Sequence, residues 1–153
     1  MAIDVKLIKK LREETKASIA DCRMALEESK GEIEKAKEWL KERGLQKAGK
    51  KEGRETTEGL VDAYIHQNGR VGSLIELSCE TDFVAKTDEF KQLAKEIGMQ
   101  VSAMKPKTLD ELLKQEYIRD SSQTIEQLIK TTIGKLGENI ILKKFVRFEI
   151  GID

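Results

Sequence analysis

Cysteine is scarce: Cys22 and Cys79 stand in unrelated contexts and form no CxxC pair. A disulfide framework and a zinc cluster are therefore excluded as organising features, and reduced thiols in a cytoplasmic protein are the expectation. His66 is the only imidazole, so any catalytic arrangement built on His beside a fixed Asp or Ser lacks its parts. P-loop, dinucleotide-binding, HExxH and GxSxG patterns are all missing. Net charge is missing too: 28 Lys and Arg balance 28 Asp and Glu. That balance argues against blanket coating of nucleic acid, which runs on excess positive charge. No apolar run approaches the roughly 20 residues of a membrane span. The first residues, MAIDVKLIKKLREE, carry acids and no apolar core, so neither a secretory nor a transit peptide is expected.

The charge is unevenly placed. Residues 1–54 are net positive and residues 55–153 net negative, which suggests two modules with different surfaces. The seam falls near AGKKEGRETTEG, where Gly49, Gly53 and Gly59 sit among charges with no large apolar residue. The expected division is a helical module over 1–47, a linker over 48–58 and a second domain over 59–153.

Helical spacing organises the first module. Leu7, Ile8 and Leu11 mark one face, Ile19, Cys22 and Leu26 a second, and Ile33, Ala36, Trp39 and Leu40 a third. Ser18 is a candidate N-cap, and Gly31 and Gly44 are candidate left-handed stops. Trp39 is expected to supply much of the buried area of so small a core.

The period then changes. Residues 59–78 hold two β-branched and apolar runs around Asn68-Gly69, the pattern of a hairpin with a type I′ turn. Phe90, Leu93, Ala94, Ile97, Val101 and Met104 mark a long helix capped by Thr87 and stopped by Pro106. A weak helical patch covers 108–115. Another helix carries Ile125, Leu128, Ile129, Ile133 and Leu136 and stops at Gly137. A last strand reads from the shared parity of Ile140, Leu142, Val146, Phe148 and Ile150, with Lys144 as the exception. The predicted class is α+β: a three-helix module, then a three-stranded, mostly antiparallel sheet with helices on one face.

Few residues invite chemistry. Cys22 reads as a buried small hydrophobe. Cys79 lies beside Glu80, whose charge raises a thiol pKa and argues against a nucleophile. Glu76, Glu80, Asp82, Asp88 and Glu89 form an acidic string, but it spans a strand end, a turn and a helix start with no common face. Phe83 and Val84 interrupt that string. Such a pair either plugs the core or faces a partner, and packing alone favours the plug.

Three blocks in order carry a resemblance. The run LIKKLREETKASIADCRMALEESKGEIEKAKEWLKERGLQKAGKK resembles the amino-terminal domain of the elongation factor Ts family. LIELSCETDFVAKTDEF is similar to the family's block around Thr-Asp-Phe-Val-Ala, and GENIILKKFVRFE resembles a third block. The resemblance implies a UBA-like three-helix module and a nucleotide exchange factor for elongation factor Tu, with no active site and no cofactor of its own. It implies that Arg12, Ile19, Ala20 and Asp21 meet that partner. It also implies that Thr81, Asp82, Phe83 and Val84 act near the partner's Mg²⁺ site and help displace the ion. Membrane and direct nucleic-acid partners are not expected.

The chain departs from the family pattern in three places. Thr15-Lys16-Ala17-Ser18 stands where a Thr-Gly-Ala-Gly turn is usual, so Lys16 must take an ordinary backbone conformation or accept strain. Ile19-Ala20 is smaller than the usual pair before Asp-Cys. The stretch between Pro106 and the helix over Gln123–Ile133 is short, and short members of the family can dimerise, so a homodimer is expected. The main rival reading is an interaction module without exchange activity. A hydrolase built on the acidic string and an RNA-binding basic module are weaker rivals.

Overall fold

The computed structural model describes residues 2–152. Three helices open the chain: α1 (Val5–Thr15), α2 (Ile19–Glu28) and α3 (Ile33–Lys51). Asp4 caps α1 by accepting from the Lys6 N–H, and Ser18 caps α2 by accepting from the Asp21 N–H (3.1 Å). Gly31 takes the expected left-handed position after α2 (φ 82°). Lys16 takes one as well, at φ 61°, and closes α1 by donating its N–H to the Arg12 carbonyl (2.8 Å). The absent glycine is thus met by strain, at about 1–2 kcal/mol for a residue with a Cβ. Ile8, Leu11, Cys22, Ala25, Leu26 and Ala36 form the core of this unit, with Trp39 packed at its side. Trp39 is only half-buried, and the Arg43 guanidinium lies over its ring at 5.5 Å.

The third helix corrects the expected stop at Gly44. It runs seven residues further, to Lys51, and carries Ala48 into the larger core. Gly44 serves close approach instead of termination. Helix α7 (Ile125–Leu136) lies against it so tightly that a Cβ on Gly134 would stand 2.7 Å from the Gly44 Cα and from its carbonyl oxygen.

The second part is built on β1 (Glu58–Ile65), β2 (Val71–Cys79) and β5 (Ile140–Glu149), antiparallel in the order β1-β2-β5. Between β2 and β5 come α4 (Asp82–Ala85), α5 (Asp88–Met104), α6 (Leu109–Lys114), a small hairpin of β3 (Glu116–Tyr117) and β4 (Asp120–Thr124), and α7. Together they make the α+β domain that the pattern predicts. Thr87 caps α5, and Thr124 with Gln127 forms a reciprocal capping box on α7. Phe90, Ile97, Val101, Leu112 and Ile125 are fully enclosed between the helices and the inner face of the sheet.

The turn between β1 and β2 differs from the predicted two-residue form. Five residues separate the strands, and the Gly69 N–H donates to the His66 carbonyl (2.8 Å). Gly69 alone takes positive φ (72°), while Asn68 uses its Oδ1 to accept from the Arg70 N–H.

The parity predicted for β5 is broken by a bulge. Leu142 pairs with Leu77 and Lys144 with Glu76, so Lys143 is an extra residue opposite a single step of β2. Ile140 and Leu142 therefore face the core, whereas Val146 and Phe148 turn to the opposite face and are exposed. The hairpin of β3 and β4 has no counterpart in the sequence reading. Gln100, fully buried in α5, holds it by donating to the Glu116 carbonyl (3.0 Å) and accepting from the Ile118 N–H (3.0 Å).

Candidate functional site

The residues singled out from sequence lie in two places. Thr81, Asp82, Phe83 and Val84 form the start of α4, a single helical turn leaving the end of β2. Thr81 caps it by accepting from the Val84 N–H (3.3 Å). The Glu138 carboxylate then grips Thr81 twice, accepting from its N–H (3.0 Å) and from its hydroxyl (2.7 Å). Behind the turn, the Cys79 thiol donates to the Thr81 carbonyl (3.1 Å). Cys79 is enclosed, and burial, then the charge of Glu138, pushes its thiol up to about 11. It stays protonated at neutral pH and acts as packing, not as a nucleophile.

This anchoring splits the apolar pair. Val84 is 6% exposed and plugs the core, whereas Phe83 is 79% exposed. The expectation that packing would bury both is corrected for Phe83. In this single helical turn Val84 and Ala85 face the core, and Phe83, one residue earlier, is carried round to the outer side. Asp82 also faces solvent, with the Lys86 ammonium 3.6 Å away. The turn thus presents an aromatic ring on a backbone fixed from three sides.

The second group lies on the first module. Arg12, Ile19 and Ala20 are exposed, and Met24 extends the same apolar surface along α2. Asp21 behaves differently. Its side chain turns toward α3, where it accepts from Arg43 Nε (3.3 Å) and from the Lys47 ammonium. Burial pushes the Asp21 carboxyl up, but Lys47, Arg43 and the Ser18 hydroxyl outweigh it and hold the group below the usual range. Asp21 therefore ties α2 to α3. The two groups sit on separate parts of the chain and share no hydrogen bond among the described residues.

Sequence reasoning missed Glu138. It follows the glycine that ends α7 and reaches Thr81 across 57 residues, so no local periodicity could reveal it. The acidic string stays dispersed, and among the described residues no group of His, Cys, Asp or Glu is placed to hold a metal ion. His66 lies exposed beside the β1–β2 turn, with the Tyr64 hydroxyl 3.4 Å from its Nδ1. Among the described residues no helix is long and apolar enough to cross a membrane.

Comparison with known proteins gives this arrangement a family. The family model described as Elongation factor TS matches residues 80–152, which include the α4 turn and its Glu138 anchor. The chain is 43% identical to Elongation factor Ts of Thermoanaerobacter sp. (strain X514), over 97% of this chain and 95% of that protein. The chain belongs to the elongation factor Ts family. Elongation factor Ts of Caldanaerobacter subterraneus subsp. tengcongensis is 41% identical over 97% of each chain. Elongation factor Ts of Rippkaea orientalis is 40% identical over 97% of this chain and 78% of its own. The alignment with the Thermoanaerobacter elongation factor Ts covers 194 positions against 153 residues here, so at least 41 positions have no residue in this chain. This member is therefore a translation elongation factor of shortened form.

Proposed function

We propose that this chain is a guanine-nucleotide exchange factor for elongation factor Tu, acting in the cytoplasm and without an active site of its own. The exposed ring of Phe83 on its braced turn carries the reading. A side chain of this size, left in water by the free protein, has about 1.5–3 kcal/mol to gain when a partner covers it. The bracing means that little conformational freedom is lost at that moment. Phe83 would enter the partner behind its Mg²⁺ and phosphate site. Mg²⁺ tolerates little departure from octahedral geometry, so a modest shift of its ligands releases the ion, and nucleotide follows. Asp82, exposed beside the ring, would position the wedge or disturb the acidic shell of the ion.

Speeding GDP release by 10³-fold takes about 4 kcal/mol at the barrier. Phe83 can supply much of this. The remainder would come from docking of the three-helix module (1–47) through Arg12, Ile19 and Ala20, with Asp21 holding the docking helix in place. By linkage, the factor must bind the nucleotide-free partner more tightly than the GDP form.

The second part of the chain (59–153) would supply a homodimer interface. Val61, Ala63, Ile65, Leu74, Val146 and Phe148 share the sheet face away from the helices, and Val61 and Phe148 are 72% and 68% exposed. Two such faces can close on each other as stacked sheets.

The test is release of a fluorescent GDP analogue from elongation factor Tu. The chain should accelerate release, and Phe83→Ala should abolish most of the acceleration while leaving thermal stability unchanged. Acceleration that survives the substitution would remove the wedge from the mechanism. Binding without acceleration would leave an interaction module.

A further inference from the structure

A cleft of about 580 Å³ opens where the α1–α2 turn and α3 meet the C-terminal half of α7. Six basic side chains line it against three acidic ones. All three acids are already engaged. Glu14 pairs with Lys37 (2.7 Å), and Asp21 is held by Arg43 and Lys47. Asp120 accepts from Ser122 and Gln123 within its own hairpin. Lys16, Lys41 and Lys135 form no ion pair among the described residues; Lys41 donates to the Ser122 carbonyl (3.5 Å), and its charge adds to the Ser122 and Gln123 hydrogen bonds that hold the Asp120 carboxyl below its usual range.

These lysines belong to three different elements that converge on one space. Lys16 comes from the α1–α2 turn, Lys41 from α3 and Lys135 from α7. Lys135 keeps access to solvent. Crowding by protein atoms nonetheless holds its ammonium below the usual lysine range; Glu89 opposes this, and the charge of Lys16 adds to it. The charges of Lys16 and Lys135 thus repel across the cleft, and Glu89 offsets this without forming an ion pair with Lys135. Lys16 also occupies a left-handed backbone position that glycine would adopt without strain. Lys30 and Lys105 take the same conformation, so at Lys16 it serves to end α1 and leaves the side chain at the cleft.

We propose that the cleft binds a linear polyphosphate anion, with Lys16, Lys41 and Lys135 as its ligands. Three separated ammonium groups act as point charges and suit a chain of two or three phosphates better than one planar carboxylate. The cleft has no aromatic wall, so a nucleoside base would find no stacking platform, and recognition would stop at the phosphates. A bound anion would bridge the α1–α2 turn to α7 and tie the first three helices to the rest of the chain. The proposal is independent of nucleotide exchange and is tested on the chain alone.

The probe is inorganic tripolyphosphate, titrated calorimetrically into the full chain at two salt concentrations and followed by thermal denaturation. Saturable binding that weakens as salt rises is expected, with no comparable effect from sulfate at matched ionic strength. Lys41→Gln and Lys135→Gln should each weaken binding roughly three- to tenfold, and Lys143→Gln on β5 should leave it unchanged. Lys16→Gly separates structure from binding. It should raise the melting temperature of the free chain by about 2–4 °C while weakening tripolyphosphate binding. The site is refuted by an absence of saturable binding in low salt, by an equal response to sulfate, or by affinity unchanged in Lys16→Gly and Lys135→Gln. Adenosine triphosphate binding more than about tenfold tighter than tripolyphosphate would refute recognition through phosphate alone.

Discussion

Alanine at three helical glycines should give opposite results for reasons that the helix alone does not contain. Gly44 and Gly49 lie in α3 and Gly134 in α7. Intrinsic propensity favours alanine over glycine by about 1 kcal/mol at each position. A Cβ at Gly49 meets nothing within 4 Å, and one at Gly44 meets only the Thr131 backbone, its Cα at 3.9 Å and its carbonyl oxygen at 4.0 Å. A Cβ at Gly134 would stand 2.7 Å from the Gly44 backbone, which cannot rotate away as a side chain tip could. Relieving that contact requires α3 and α7 to separate, an overpacking cost of about 1–3 kcal/mol. Gly49→Ala should therefore raise the melting temperature by about 2–4 °C, and Gly44→Ala by a similar or smaller amount. Gly134→Ala should lower stability by up to about 2 kcal/mol after the propensity gain of about 1 kcal/mol is subtracted. Scanning calorimetry on the three variants, under one buffer condition, is the assay. If Gly134→Ala rises with the other two, the close crossing of α3 and α7 is not a constraint, and the account of why α3 passes through Gly44 fails.

Asp21→Asn should cost about 1–2 kcal/mol at neutral pH, because a half-enclosed carboxylate loses two cationic partners that are themselves partly exposed. Its folded pKa is depressed, so the contribution is complete above the unfolded value near pH 4 and fades as pH falls through the folded value. Denaturant curves of the two proteins should converge on acidification, and a gap that persists at low pH would refute the assignment. Glu138→Ala should leave global stability within about 1 kcal/mol but raise amide exchange in α4 roughly five- to tenfold, since it frees Thr81. Unchanged exchange would mean that the turn is braced by Val84 alone. Phe148→Glu should convert a dimer to a monomer in sedimentation, and a variant that sediments as the parent does would remove the outer sheet face from any dimer contact.

Much of this fold can be read from local patterns. Caps at Ser18, Thr87 and the left-handed Gly31 and Gly137 stand where the sequence puts them, because each depends on residues within four positions. Gly44 was misleading for the opposite reason. A glycine marks a helix stop by local rules, but here a partner helix 90 residues away in sequence decides its use. The parity of β5 fails in the same way, since a bulge is defined by the partner strand; its one local sign is Lys144, the exception in the apolar series, which falls just after the extra residue. At the α4 turn, Phe83 and Val84 are equivalent by hydrophobicity, and only the helical geometry separates the exposed one from the buried one. The small hairpin of β3 and β4 is polar along most of its length and is held by a buried glutamine on α5, so it carried no strand pattern.

The extra residue in β5 gives one strand two unrelated tenants. Ahead of Lys143, Ile140 and Leu142 must match the volume left by the helices, so only near-isosteric replacements are tolerable there. Beyond it, Val146 and Phe148 answer to whatever lies on the far side of the sheet and to nothing inside. An insertion of a single residue thereby switches which parity of the strand faces the core within ten consecutive residues, from Ile140 and Leu142 to Phe145. The outward residues of that half can be rewritten to suit a different neighbour, while Phe145 against the core and Arg147 on the Ser102 carbonyl keep the domain folded.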